Sequence, residues 1–521
     1  MFPQPPSEDY YEGFNEYLFR GVPRDAKRIL EVGCSNGRLA SELKQQDPER
    51  YIAGVELDRA AAEIARSRID DVFVLDIERE LPPIEPGSLD CVLFGDVLEH
   101  LVNPEAVLVA VRRLLSDKGI VLISVPNIGH FTIIRELLRA DFMYQPAGLL
   151  DSTHLRFFTH ATVTKMMLDA GFLPSVESIV PAPITDEDVR AARPLLDRFA
   201  VDPGHAKKYL DAYEYIFKGE LLPVAEAASR PVTFVAAVND EQQLRSNLMR
   251  SPCFAPGTPH ELLLIRSSAS AADAFNEEIG SAKNELVVFV QQGMYLPRGW
   301  DAFFTRGFEE AEAQFAPVGV IGAFGTRGRD GEVEQVGRIV DRDKLTDTPV
   351  PLPAEVGSVD EMVLAVRRTT PLRFDPSLGF HLYGADLCLA ANALGLRNVV
   401  VEAPCFRNSP FAFPSAAFHR ARELLVAKWP DARPLWSGAG RLDTMRTEPA
   451  PSTWLEEQKA TLNEHLRERD ALRRQLNTAQ DRVKRMEASA FWKARNVART
   501  IVRRGGFGRA KNSEGTKEKR P

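Results

Sequence analysis

The sequence predicts an α/β protein: a doubly wound sheet in the first half, a second α/β domain after it, and a C-terminal helical tail. Two observations predict the sheets. Between Lys27 and about Leu222 short apolar, β-rich runs alternate with helical patterns, and a second such series follows an Ala/Pro-containing stretch, PVAEAASRP. A third predicts the tail, since residues 452–487 are charged, helical in composition and free of Gly and Pro. The 521 residues, 44% of them hydrophobic, suffice for about three domains with real cores.

The first series reads RILEVG, YIAGVE, DVFVLD, DCVLFG and GIVLISV, separated by segments such as GRLASELKQQ and RAAAEIARSRI. Alternation of this kind predicts parallel strands joined by crossover helices. The run EVGCSNG, Glu31 to Gly37, closes the first strand and opens a helix. Gly33 and Gly37 let the backbone approach a ligand at the carboxyl edge of the sheet, where such folds bind cofactors. Glu56 ends the second strand about 20 residues on, where a carboxylate accepts both hydroxyls of a ribose. Asp76 ends the third, placed to meet an adenine amine, with Ile77 packing nearby. A dinucleotide oxidoreductase is the competing reading, but the G-x-G-x-x-G pattern is absent.

In EVGCSNG, the acidic end of GVELD, VLDIE, and LDCVLFGDVLEHLVNPEAVL leading into GIVLISVPN, the first 220 or so residues resemble the class I S-adenosylmethionine-dependent methyltransferases, a Rossmann-like fold. The resemblance implies transfer of a methyl group from a sulfonium cation in one in-line displacement. It places Gly33, Cys34 and Gly37 along the methionine and ribose side, Glu56 on the ribose, Asp76 and Ile77 about the adenine, and Asp96 beside the donor. Glu31 either supports the methionine ammonium or pins the turn. DSTHLRFFTHATVTKMMLDAGF, Asp151 to Phe172, resembles the loop and helix of methyltransferases in glycan and quinone pathways. His154 in that loop is the candidate base, because a neutral imidazole can take a proton as the C–O bond forms, with Arg156 as a substrate anchor. His100 and His130 compete for the role of base, and His100 is better placed to shape the donor pocket.

The second series runs VTFVAAV, HELLLIR, NELVVFV, GVIGAFG and NVVVEAPCF. Its RPVTFVAAVNDEQQLRSNL, VFVQQGMYLPRGW and RFDPSLGFHLYGADLCLAANALGLRNVVVEAPCFRNS resemble family 2 glycosyltransferases of the GT-A fold. That family implies a divalent ion held by an aspartate and a histidine, and a carboxylate base. This sequence departs at each: Gly293 stands for the metal aspartate, Arg407 for the histidine, and Gly384 for the first acidic acceptor position, leaving Asp386. No metal is therefore expected. Either Arg407 neutralises a diphosphate and Asp386 serves as base, or the fold persists as a module binding glycan or nucleotide sugar. Under both, Asn239 and Asp240 touch the nucleotide, unless Asp240 merely caps its helix.

The domains expected are 1–222, a linker at 223–230, 231–445, the helix at 452–487 and a basic tail at 488–521. In heptads the helix places Leu455, Leu462, Leu476 and Val483 at a, and Leu472, Ala479 and Met486 at d, interrupted by Arg469, Gln458 and His465. It reads either as a short coiled coil joining copies of the chain or as one amphipathic helix docked on its own domain. From Arg482 onward 13 basic and 3 acidic residues are mixed with aromatic and aliphatic ones, suited to an anionic membrane surface or to a solvated end.

A net charge of −8 argues against a nucleic-acid coat. Five scattered cysteines without a C-x-x-C pair suit a reducing cytoplasm. The opening MFPQPPSEDYYEGF lacks a leader pattern, and no run approaches a membrane span. The function expected is O-methylation of a sugar in a surface polysaccharide or lipid-linked glycan, in the cytoplasm or at the inner membrane surface. The rivals are a bifunctional methyl- and glycosyltransferase and a scaffold assembled through the coiled coil.

Overall fold

The computed structural model describes residues 14–198, 203–223, 230–266, 270–329, 332–409, 416–438 and 440–445. The heptad helix and basic tail lie outside these residues. Residues up to Met445 form one compact unit.

Seven strands make the first sheet: β1 (Arg28–Val32), β2 (Tyr51–Glu56), β3 (Asp71–Val74), β4 (Leu89–Gly95), β5 (Leu115–Pro126), β6 (Phe172–Pro181) and β7 (Ala212–Leu221), in the order β3-β2-β1-β4-β5-β7-β6. β1 to β5 coincide with the five apolar runs and pair in parallel, whereas β7 runs antiparallel to β5 and to β6. The final hairpin was not read from the sequence, because FLPSVESIVP and AYEYIFKGEL carry polar residues on their half-buried faces. The helices are α1 (Glu16–Gly21), α2 (Arg38–Gln46), α3 (Arg59–Ala65), α4 (Pro104–Val111), α5 (Phe131–Leu138), α6 (His160–Asp169), α7 (Asp186–Arg198) and α8 (Pro203–Asp211). Several starts are written locally: Asn15, Asp58 and Asn103 cap α1, α3 and α4 by accepting backbone N–H groups, and Pro104 opens α4 where no donor is needed. Apolar cores lie on both faces of the sheet, one around Leu30, Val92 and Phe94, the other around Ile29, Leu93 and Leu122.

The second lobe contains β8 (Thr233–Val238), α9 (Glu241–Ser246), β9 (Glu261–Arg266), α10 (Ala271–Ser281), β10 (Leu286–Val290), β11 (Met294–Tyr295), α11 (Trp300–Phe315), β12 (Val318–Gly322), β13 (Phe324–Arg329), β14 (Glu332–Asp341), β15 (Lys344–Asp347), β16 (Ala354–Glu355), β17 (Ser358–Val359), β18 (Val363–Arg367), α12 (Tyr383–Ala393), β19 (Arg397–Val400), β20 (Cys405–Arg407) and α13 (Ala416–Lys428). Its main sheet has the order β16-β19-β12-β18-β10-β8-β9, with β18 antiparallel to both neighbours amid otherwise parallel central strands. A smaller sheet, β11-β20-β14-β13-β17 with β15 against β14, lies beside it.

The lobes share an interface. Leu168, Leu173 and Leu222 pack with Tyr295, Val340 and Phe406. Asp169 accepts from the Tyr295 hydroxyl and, at 2.9 Å, from the Arg298 backbone N–H, while Arg298 pairs with Glu105 at 2.8 Å. All five cysteines are buried, unbridged thiols. Among the described residues no helix is long and apolar enough to cross a membrane.

Candidate functional site

A cavity of about 750 Å³ opens at the carboxyl ends of β1, β2 and β4. The turn after β1 forms its floor. Gly33 and Cys34 both donate backbone N–H groups to the Val55 carbonyl, at 2.8 and 3.1 Å, drawing the turn onto β2. Gly33 and Gly37 have φ of +72° and +76°, the left-handed region that glycine tolerates, and a Cβ on Gly33 would lie 2.4 Å from Val97 Cγ2. Glu56 accepts from the backbone N–H groups of Ser35 and Asp58, both at 2.8 Å, so it holds the turn while still lining the cavity.

Glu31, Gly33, Cys34, Glu56 and Asp96 all line this space. Gly37 sits at its edge as the cap residue of α2. Asp76 and Ile77 are not among the lining residues. The Asp76 carboxylate closes its own turn, accepting from the Glu78 N–H at 3.1 Å and pairing with Arg79, and Ile77 is buried in the apolar core. Burial pushes the Glu31 carboxyl up to about 8, aided by the nearby Glu56 charge. Asp96 is likewise raised by burial.

Beside the cavity, the loop from Asp151 to Phe157 is tied to the turn Leu98–His100. The N–H groups of Leu155 and Arg156 both donate to the Glu99 carbonyl, at 2.8 and 3.0 Å, and the Thr153 hydroxyl lies 3.1 Å from His100 Nδ1. These bonds bring His154 Nε2 to 3.9 Å from Glu99 Oε1, with the His100 ring 4.9 Å from the His154 ring. Among the described residues neither Glu99 carboxylate oxygen has a hydrogen-bond partner, and burial raises this carboxyl well above the ordinary range. His154 is shifted the other way, held neutral by burial and by neighbouring His100. Glu99, His100 and His154 present ligand atoms within 4.8 Å of one another, compact enough to hold a cation as well as to move a proton. Arg156 is directed away from this trio, since its guanidinium donates to the Val102 and Leu155 carbonyls. His130 caps α5 and its Nε2 lies 2.9 Å from the Ala182 carbonyl oxygen, a structural position.

Sequence reasoning missed Glu99, Ser124, Glu214 and Asn15. Glu99 stood in plain view within LEHL; Glu214 and Asn15 reach the site only through β7 and α1.

The second lobe has its own cavity of about 570 Å³ at the carboxyl ends of β8 to β10. Asn239 lines it, whereas Asp240 caps α9, accepting from the Gln242 and Gln243 N–H groups at 3.0 Å. Gly293 leaves no room for a carboxylate, because a Cβ there would lie 2.0 Å from Ser409 Oγ. Arg407 and Asp386 are both engaged by partners within the lobe. The Arg407 guanidinium forks onto the Asp341 carboxylate, with Nε–Oδ1 at 2.9 Å, so its charge is already balanced. Asp386 is buried beneath α13, accepting from Lys428 Nζ at 2.9 Å and Trp429 Nε1 at 2.7 Å. The arrangement offers neither a metal site nor a free acceptor base at these positions.

Residues 9–174 match a family model described as a methyltransferase domain. Curated relatives include a ubiquinone biosynthesis O-methyltransferase from Neisseria meningitidis, 28% identical over 28% of this chain and 63% of its own length. Another is a malonyl-[acyl-carrier protein] O-methyltransferase from Geobacter sulfurreducens, 30% identical over 28% of this chain and 55% of its own. A third, an uncharacterised transposon protein of Streptomyces fradiae, is 27% identical over 33% of this chain and 50% of its own. The chain thus spans about half to five-eighths of the length of these relatives. Among solved structures, a SAM-dependent methyltransferase from Archaeoglobus fulgidus is 16% identical with a TM-score of 0.30, covering 41% of this chain and 97% of that one. A 1,6-didemethyltoxoflavin-N1-methyltransferase from Burkholderia thailandensis with bound S-adenosylhomocysteine is also 16% identical, with a TM-score of 0.26, covering 40% and 76%. Over residues 9–174 the N-terminal lobe is thus similar to methyltransferase domains, including those of relatives named as O-methyltransferases.

Proposed function

We propose that the protein methylates a hydroxyl oxygen, with S-adenosylmethionine as donor in the cavity and His154 as the group that takes the acceptor's proton. The observation that carries this reading is an enclosed imidazole, His154, shifted toward its neutral form and packed 4.9 Å from the ring of His100, which lines the glycine-floored cavity together with Glu31, Glu56 and Asp96. The in-line displacement needs donor and acceptor held in line and one proton removed as the C–O bond forms. Glu99, whose carboxyl lies 3.9 Å from His154 Nε2, is the nearest acidic group to the imidazolium that results and offsets its charge once Glu99 ionises. Relatives named as O-methyltransferases support an oxygen acceptor.

The acceptor we propose is a sugar of a surface polysaccharide or lipid-linked glycan. Support comes from the second lobe, whose sequence resembles GT-A glycosyltransferases and whose sheet bears an antiparallel strand between parallel ones. We read that lobe as a glycan or nucleotide-sugar binding module. The engagement of Arg407 with Asp341 and of Asp386 with Lys428 and Trp429 favours binding over transfer. The test is a screen of nucleotide sugars and oligosaccharides for methyl transfer from labelled donor. Labelled product with a saccharide, abolished by His154→Gln, supports the reading; methylation of lipid quinols or acyl carriers alone removes the sugar acceptor.

A further inference from the structure

Four elements converge on one wall of the donor cavity. Asp96 ends β4, Ser124 lies on β5, Glu214 on β7, and Asn15 caps α1. The Ser124 hydroxyl donates to Asp96 Oδ1 at 2.7 Å and lies 3.4 Å from Glu214 Oε2. Asn15 Nδ2 donates to Glu214 Oε2 at 3.0 Å and to Ser124 Oγ at 3.1 Å. A single hydroxyl therefore separates two carboxyl groups that both line the cavity. Asn15 and Ser124 bring dipoles and no charge. Of the charged groups facing the pair, Glu99 is acidic, His100 is the nearest basic one, and the cavity's guanidinium, Arg38, is paired with Glu42 at 2.9 Å.

Two like charges so placed need a cation between or beside them. Burial and the Asp96 charge raise Glu214 to about 8, so where no other cation is bound a proton stands in for it. The donor carries a permanent positive sulfur, and the product left after methyl transfer is a neutral thioether. We propose that Asp96 and Glu214 form a charge-reading pair, with Glu214 as its selectivity residue, that favours the sulfonium donor over its demethylated product. This rests on the reading of the cavity as the donor site. It gives the cavity a means of releasing product, because losing the methyl group removes the positive charge the two carboxylates hold.

The experiment is calorimetric titration of the full chain with S-adenosylmethionine, with S-adenosylhomocysteine, and with sinefungin, in which an amine-bearing carbon replaces the sulfonium. In Glu214→Gln, Kd should rise about tenfold for the two cationic ligands and less than twofold for the thioether. Asp96→Asn should show the same selective loss, and serves as the test if the first variant does not fold. Equal weakening of all three ligands, or none, overturns the proposal while leaving the donor site standing. A wild-type protein that binds none of the three refutes the donor site itself and the pair with it.

Discussion

Substitution of Gly33 by alanine probes, at a single atom, the floor of the cavity proposed to hold the donor. Gly33 has φ +72°, and the added Cβ would lie 2.4 Å from Val97 Cγ2. The left-handed backbone costs an alanine roughly 1–2 kcal/mol. Relieving the overlap costs about 1–3 kcal/mol more, because Val97 must rotate or the turn must lift from β2. Gly33 N–H and Cys34 N–H hold that turn to Val55, and Val97 lines the same cavity, so either escape alters the donor site. Urea unfolding should therefore show Gly33→Ala less stable than wild type by about 2–5 kcal/mol, the sum of these two costs. Calorimetry should show its donor affinity reduced by tenfold or more. Gly33→Ala with Val97→Ala removes the overlap and keeps the backbone strain, so it should recover the second cost and not the first. A Gly33→Ala protein that matches wild type in both stability and donor affinity would refute the reasoning.

The remaining expectations concern single polar groups. Glu31 has its carboxyl raised to about 8 from an ordinary 4.5, so unfolding releases a proton between those values and the ligand-free protein loses stability as pH rises through that window. Glu31→Gln should flatten this dependence and be more stable at pH 8 by about 4 kcal/mol, with no difference at pH 4; parallel urea midpoints for the two proteins across the window would count against it. His154→Gln should slow methyl transfer by about 10²- to 10⁴-fold with donor Kd unchanged. In the wild type, activity should rise with pH through a midpoint below the usual histidine value, since burial lowers His154 and only the neutral ring accepts a proton; a midpoint above that value would exclude His154 as the base. Asp169→Ala strips the Tyr295 hydroxyl and the Arg298 N–H of their acceptor at the lobe interface, and calorimetric unfolding should show a loss of about 1–3 kcal/mol, whereas an unchanged transition would mean the interface contributes nothing.

The turn EVGCSNG and the acidic end of β2 were legible because glycine spacing and an acidic strand end are local patterns, even though the bond from Ser35 N–H to Glu56 that joins them spans 21 residues. The second lobe was legible in its strands and less so in its chemistry. Arg407 and Asp386 read as a diphosphate clamp and a base, yet a side chain's availability depends on what packs against it. Asp341 lies 66 residues from Arg407, and Lys428 lies 42 from Asp386; no local pattern announces either pairing. Likewise Asp76 sits at a strand end, as expected, but turns back onto Glu78 and Arg79.

By itself the chain's order of residues determined the first five strands, the glycine-floored turn, and which carboxylates stand at the sheet's edge. These follow from hydrophobic periodicity and backbone stereochemistry, which act over a few residues. Only the folded chain decided which carboxyls stand together, which cations are spent, and which imidazole meets Glu99. Those outcomes depend on burial and on partners far apart in sequence, and the β6–β7 hairpin is what carries Glu214 across to Asp96.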